Sequence, residues 1–298
     1  MRKGIFIATN AGYQDMALAL IASIRVHVPE AEVTLLCGPD VKPDISDRRV
    51  RVIPMDFARA VVDNSYGIPA NGNLLIKQLR YLYLSELCGD YDAACLLDAD
   101  MLVVSPQFER LFEMVAGSRV LVGCNEAFKW RFGPRYRRLD VPLFDSTITA
   151  HRFCCNVPIV FDPQHWQDVF QRYNQLAYHA YEWEGDKPVK RVGDIYCWNL
   201  SVYLEGRQDD VLLWPMQQMT QVHHTNLREW ARLKKADGRW FTPDGDEVLT
   251  LHGRFNTPNY LPGERRAATK QGHPENYADV VLGPLIAEGN QYRQVAGE

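Results

Sequence analysis

Short apolar runs alternate with amphipathic stretches from residue 4 to residue 104. Gly4-Ile5-Phe6-Ile7-Ala8 reads as a buried strand. From Tyr13 to His27 the apolar residues Met16, Leu18, Leu20, Ile21 and Ile24 recur at helical spacing, until Pro29 ends the run. Glu32 to Cys37 and Val50 to Pro54 read as further strands, and Leu74 to Leu87 as a long amphipathic helix carrying Lys77 and Arg80. A strand through Leu96-Leu97 follows at once. Strands alternating with helices predict an α/β fold with a mixed, mainly parallel, Rossmann-like sheet flanked by helices. Ligands of such sheets collect beyond the carboxyl ends of the strands. The small polar loop Thr9-Asn10-Ala11-Gly12 and the segment Asp98-Ala99-Asp100 both stand at such ends.

Beyond residue 104 the texture changes. Arg119 to Gly123 and Asn156 to Phe161 predict strands, and His165 to Tyr178 and Asp194 to Leu204 predict helices. Ala236 to Glu247 reads as a turn-rich hairpin around Asp237-Gly238 and Asp244-Gly245-Asp246. It feeds a strand Val248 to Leu251, from which His252-Gly253-Arg254 emerges. The last forty residues, rich in Pro, Gly and polar side chains, predict a surface wrap or a frayed tail. The expected organisation is one domain over residues 1–262, divided near 104, with a surface extension over 263–298.

The chemistry concentrates in Leu96-Leu97-Asp98-Ala99-Asp100-Met101-Leu102-Val103-Val104, where two carboxylates stand two residues apart as an apolar strand ends. Carboxylates held close repel unless a cation or a shared proton offsets them, and hard divalent cations are the common solution. The pair therefore predicts a metal-diphosphate site, although the same spacing also occurs at ordinary surface turns.

Composition narrows the classes further. The chain has 298 residues, 46% of them hydrophobic and 23% charged, which suits a globular protein. Its net charge of −4 gives no global attraction to nucleic acid or anionic lipid. The seven cysteines include no Cys-x-x-Cys pair and sit largely in apolar runs, so structural, reduced thiols are expected. Apolar runs are shorter than a membrane helix requires, and Met1-Arg2-Lys3-Gly4 leads straight into a strand. A cytoplasmic protein is the expectation. One local patch departs from this acidic balance. Phe128-Lys129-Trp130-Arg131-Phe132-Gly133-Pro134-Arg135-Tyr136-Arg137-Arg138 holds five cations and four aromatics with no acid, a combination suited to a phosphate backbone with stackable bases or to a phosphorylated glycan. A solubilising loop with aromatics packed on the core would have the same composition.

Several segments stand in a telling order. The first strand and loop run to Tyr13, with Ser23 in the next helix; Leu75-Ile76-Lys77-Gln78-Leu79 precedes the Leu96–Val104 run. Phe153-Cys154-Cys155-Asn156-Val157-Pro158, Asp194-Ile195-Tyr196-Cys197-Trp198-Asn199 and His252-Gly253-Arg254 follow. Together they resemble a GT-A glycosyltransferase, most closely glycosyltransferase family 8, the family of glycogenin and the bacterial lipopolysaccharide galactosyl- and glucosyltransferases. The resemblance covers roughly residues 4 to 260, and the Asp98-Ala99-Asp100 run is its specific part. Three departures mark a divergent member: Ile195 replaces the glutamine of the family's "DQxxxN" start, Pro158 replaces a glycine, and Thr257-Pro258-Asn259 replaces "KPW" and its phosphate-binding lysine.

The resemblance implies transfer of a sugar from a nucleotide-sugar, a UDP-sugar, to an acceptor, with retention at the anomeric carbon. Residues 1–104 would be the nucleotide-binding half and 105–262 the sugar and acceptor half. It implies Asp98, Asp100 and His252 as ligands of Mn2+ or Mg2+, with Asp100 principal, Asp98 on the metal or the ribose, and the imidazole tilting the choice to manganese. Ala8, Thr9, Asn10, Tyr13, Lys77, Arg80, Asp98 and Ala99 would line the donor, with Arg254 standing in for the missing lysine. Asp194, Asn156 and Lys77 would serve the reacting centre: Asn156 and Asp194 as sugar contacts, Asp194 also as the residue kept as a nucleophile should the route be double displacement. Lys129, Trp130, Arg131, Arg135, Tyr136 and Arg137 would face the acceptor, a bacterial glycan or a nucleic acid with a hydroxylated base. Two alternatives remain at this point. A haloacid-dehalogenase-type phosphatase also uses Asp-x-Asp after a strand, as nucleophile and general acid, but the late position of the pair and the absence of that family's threonine favour the transferase. A catalytically weak sugar-nucleotide-binding protein is the other.

Overall fold

The computed structural model describes residues 1–59, 72–125, 154–178, 181–184, 187–190, 194–215, 218–221, 231–253 and 277–296. In chain order, β1 (Lys3–Thr9) leads through a 3-10 turn into α1 (Gln14–His27), β2 (Glu32–Cys37), β3 (Val50–Pro54) and α2 (Gly72–Leu87). There follow β4 (Ala93–Asp98), β5 (Met101–Val103), α3 (Arg110–Val115), β6 (Leu121–Asn125), β7 (Cys154–Phe161) and α4 (Pro163–Tyr178). The hairpin β8 (Tyr181–Glu184) and β9 (Lys187–Lys190) precedes α5 (Asp194–Leu204), β10 (Val211–Trp214) and β11 (Met219–Gln221). A second hairpin, β12 (Lys234–Ala236) and β13 (Arg239–Phe241), precedes β14 (Thr250–His252) and α6 (Tyr277–Ala296).

The chain forms two compact units. The first is built from Met1–Ala11, Glu32–Leu97 and Leu111–Trp214, the second from Gly12–Ala31, Asp98–Arg110 and Pro215–Glu298.

The first unit is organised by a seven-stranded sheet in the order β10-β6-β7-β4-β1-β2-β3. β1 with β2, β2 with β3 and β10 with β6 run parallel, while β7 runs against both β4 and β6. This is the mixed, mainly parallel α/β sheet that the sequence predicts. Strands covered on both faces need continuous apolar runs rather than alternation, and β7 is buried along its whole length. One face carries α2, α4 and α5, whose aromatics build the largest part of the core: Tyr81, Trp166, Phe170, Tyr173 and Trp198 are essentially inaccessible. Tyr81 packs with Tyr173 at 3.9 Å between ring centroids and with Trp198 at 5.8 Å.

The second unit holds a three-stranded sheet, β11-β14-β5, with β14 antiparallel to β5. Buried Met16, Leu20 and Ile24 recur along α1 at the spacing of one helix face, and α1 packs on β5 and on α6. Pro29 ends α1 as expected, with the Val28 N–H donating to the Ile24 carbonyl. The segment expected to wrap or fray contains α6, which is tied to α1 by Arg293 on Asp15 and by the His27 ring on the Tyr292 hydroxyl. Among the described residues no helix is long and apolar enough to cross a membrane. All seven cysteines are buried and free of disulfides, as structural thiols should be.

Candidate active site

The second unit contains the acidic pair. Asp98 is the last residue of β4, and Ala99-Asp100 make the turn into β5. That turn sends both carboxylates to one side while Ala99 is buried. β14 pairs with β5 in a register that sets His252 opposite Met101, the neighbour of Asp100. The Gly253 N–H donates to the Asp100 carbonyl at 2.7 Å and pins the turn to the strand that carries the histidine. His252 Nε2 lies 3.2 Å from Asp100 Oδ1 and 3.6 Å from Asp98 Oδ2. One ligand atom from each of the three residues falls within 4.8 Å of the others, and all three side chains are half-buried. Two carboxylate oxygens and one imidazole nitrogen suit Mn2+ or Mg2+, hard ions that accept a mixed oxygen and nitrogen set and keep positions for phosphate oxygens. The three residues named from the sequence as metal ligands are therefore brought together, although 152 positions separate Asp100 from His252 in the chain.

A separate cluster belongs to the first unit. Asp194 is the first residue of α5, where a carboxylate complements the helix dipole. Its Oδ2 accepts hydrogen bonds from Asn156 Nδ2 at 3.0 Å and Arg80 Nη2 at 3.4 Å, and forms an ion pair with Lys77 Nζ at 3.4 Å. The two cations differ. The Arg80 side chain is 4% exposed and lies over the Tyr81 ring, whereas Lys77 is 46% exposed. The sequence places Lys77 and Arg80 on one helix face, and the structure turns both toward the same carboxylate. Below them the Tyr81 hydroxyl donates to the Asn156 carbonyl at 2.9 Å.

The other residues named from the sequence fall as follows. Ala8 and Thr9 end β1; Thr9 Oγ1 donates to the Asn10 carbonyl, and the Thr9 carbonyl accepts from Gly38 N–H. Tyr13 closes the 3-10 turn before α1 and makes no side-chain capping bond. Ser23, in the helix that follows, is wholly buried: its hydroxyl donates to the Leu20 carbonyl and accepts from Val103 N–H, so it braces β5. Arg254 and the acceptor-loop residues Lys129, Trp130, Arg131, Arg135, Tyr136 and Arg137 lie outside the described residues. Sequence reasoning gave no role to Tyr81, Gly253 or Asn199. Of these Asn199 carried the clearer signal: it keeps the last position of the "DQxxxN" helix start that the resemblance rests on, and it is a poor helix former in a helix interior.

No protein-family model matches the chain, and no curated protein matches it. Solved structures do. The chain is similar to an active-site mutant of LgtC, with a TM-score of 0.57 and 14% identity over 90% of this chain and 95% of that one. It is also similar to the galactosyltransferase LgtC in complex with donor and acceptor sugar analogues, with a TM-score of 0.55, 13% identity and the same coverage. The likeness is one of fold, and it is the GT-A fold that the sequence predicts.

Proposed function

We propose that this protein is a metal-dependent glycosyltransferase that moves a sugar from a UDP-sugar to a glycan acceptor with retention. The observation that carries the reading is the convergence of Asp98, Asp100 and His252 within reach of one ion, in a chain with the fold of a sugar transferase. When a nucleotide-sugar reacts, negative charge builds on the departing diphosphate, and stabilising it is the main task of the site. Bound Mn2+ or Mg2+ would supply Lewis-acid stabilisation of that leaving group. Asp98 and Asp100 hold the carboxylate ligands, and the half-buried His252 adds a neutral one, so the trio keeps a net attraction for a divalent ion. Ala8, Thr9, Asn10, Tyr13 and Ala99 are proposed to contact the nucleoside and its phosphates, with Arg254 as the further cation.

For the sugar we propose Asp194 and Asn156, with Lys77 and Arg80. Two cations and an amide on Asp194 Oδ2 stabilise the ionised carboxylate and make it a weaker nucleophile. This supports Asp194 as an acceptor of sugar hydroxyl hydrogen bonds, and it favours the front-face route over a covalent glycosyl-enzyme. The aromatic and basic loop 128–138 is proposed to meet the acceptor. Its phosphate-binding chemistry fits a charged glycan, and a mobility-shift titration with duplex DNA at low salt tests the nucleic-acid alternative.

The experiment is incubation of the protein with Mn2+ and a panel of UDP-sugars, scoring UDP release and sugar transfer. UDP release that needs the metal and vanishes in Asp100→Ala supports the reading. Hydrolysis of a generic phosphomonoester without UDP release would replace it with the phosphatase alternative, and donor binding without turnover would leave a binding protein.

A further inference from the structure

Asn199 sits in the interior of α5 at 2% exposure. Its Oδ1 accepts from Cys154 N–H at 3.0 Å, and its Nδ2 donates to the carbonyls of Cys154 and Ile195, each at 2.8 Å. The side chain thus engages both main-chain groups of Cys154 as a neighbouring strand would, while a second bond holds the carbonyl one turn back in its own helix. Cys154 begins β7, two residues before Asn156; Ile195 directly follows Asp194. One amide therefore fixes the backbone beside each member of the pair that meets at 3.0 Å, Asn156 Nδ2 on Asp194 Oδ2.

We infer that Asn199 is a positioning residue, whose amide locks β7 to the first turn of α5 and so sets the Asn156–Asp194 pair. Only a primary amide supplies two donors and an acceptor in this arrangement. Aspartate has the same shape but would set carboxylate oxygen against two carbonyls and bury an unpaired charge. Serine in a helix bonds back to the carbonyl four residues earlier, so Asn199→Ser keeps Ile195 satisfied and releases Cys154 alone. Asparagine is otherwise a poor choice for a helix interior, and the three bonds explain its presence there.

The consequence for turnover rests on the proposed role of Asp194 and Asn156 at the sugar; the geometric half does not. The test is a crystal structure of Asn199→Ser beside that of the unmodified chain, together with Mn2+-UDP affinity and UDP-sugar turnover of both. The expected result is an Asn156–Asp194 separation beyond hydrogen-bond reach and turnover reduced about 10- to 100-fold, the cost of misplacing a group by about 1 Å, with Mn2+-UDP affinity unchanged. A retained contact overturns the inference, as does turnover within about twofold of the unmodified chain or a parallel loss of Mn2+-UDP affinity. If the unmodified chain turns over no UDP-sugar, the proposed function fails and the structure of the variant alone decides the positioning claim. Asn199→Asp is the harsher second variant; should it fail to fold, Asn199→Ser carries the test.

Discussion

Replacing Arg80 with Met should destabilise the first unit far more than replacing Lys77, although both cations stand 3.4 Å from the same oxygen of Asp194. At that distance Coulomb's law gives about 5 kcal/mol for a pair at an effective dielectric constant of about 20. Much of this is offset by the desolvation of a guanidinium that is 4% exposed. Removing one partner of a buried pair typically costs about 3–5 kcal/mol, because the other charge is stranded. Here Lys77 and Asn156 still face the carboxylate, so Arg80→Met should cost about 2–3 kcal/mol, including lost packing on Tyr81. Lys77 is 46% exposed, and water replaces it, so Lys77→Met should cost no more than about 1 kcal/mol. Urea unfolding followed by tryptophan fluorescence, which reads the buried Trp166 and Trp198, measures both. The double variant Arg80→Met with Asp194→Asn should be less damaged than the sum of the two single changes, because the stranded charge is gone. Equal losses from Arg80→Met and Lys77→Met, or additive losses in the double variant, would refute the reasoning.

Burial holds the His27 imidazole below its ordinary value, against the upward pull of Glu288 and Glu247 and with a smaller downward push from Arg239. The folded chain then binds fewer protons than the unfolded one, so this contribution is complete above about pH 6.5 and is lost as pH falls through the folded value. His27→Gln should therefore lower Tm more at neutral pH than at pH 5, and a gap that stays constant in thermal melts would contradict this. Burial also pushes the thiols of Cys37 up to about 11 and Cys88 up to about 12. Since the thiolate is the reacting species, Ellman's reagent at mildly alkaline pH should find no fast thiol in the folded chain and all seven after guanidinium; a rapid native reaction would place a cysteine at the surface.

Much of this architecture was legible because buried strands and amphipathic helices write themselves as runs and periods. The bounds read for Glu32–Cys37, Val50–Pro54 and Asp194–Leu204 are those of β2, β3 and α5. The short strands β10 and β11 and the β8–β9 hairpin leave no mark in the sequence: runs of three or four residues carry too little period, and pairing decides them. α6 was hidden by Pro284 and Gly283 within it, since local propensity argues against a helix that packing on α1 sustains. In the site, Asp98 and Asp100 stood out because two acids separated by one residue at a strand end need an explanation. His252 depended on a strand pairing over a long separation, which periodicity does not report and the family resemblance did. The bracing role of Ser23 is hidden for a related reason: a hydroxyl on a helix reads alike whatever it meets, here a strand N–H. The arrival of Lys77 and Arg80 on Asp194 was likewise invisible, because neighbours on one helix face do not reveal what they face.

The central claim is that Asp98, Asp100 and His252 hold one divalent ion, and Mn2+ titration followed by electron paramagnetic resonance, with UDP present, tests it most directly. The free-ion signal should disappear with one site per chain, and Asp100→Asn and His252→Ala should each weaken binding by at least about 10-fold while the thermal melt stays cooperative. Binding of the same strength in all three proteins, or none in the unmodified chain, would contradict the account.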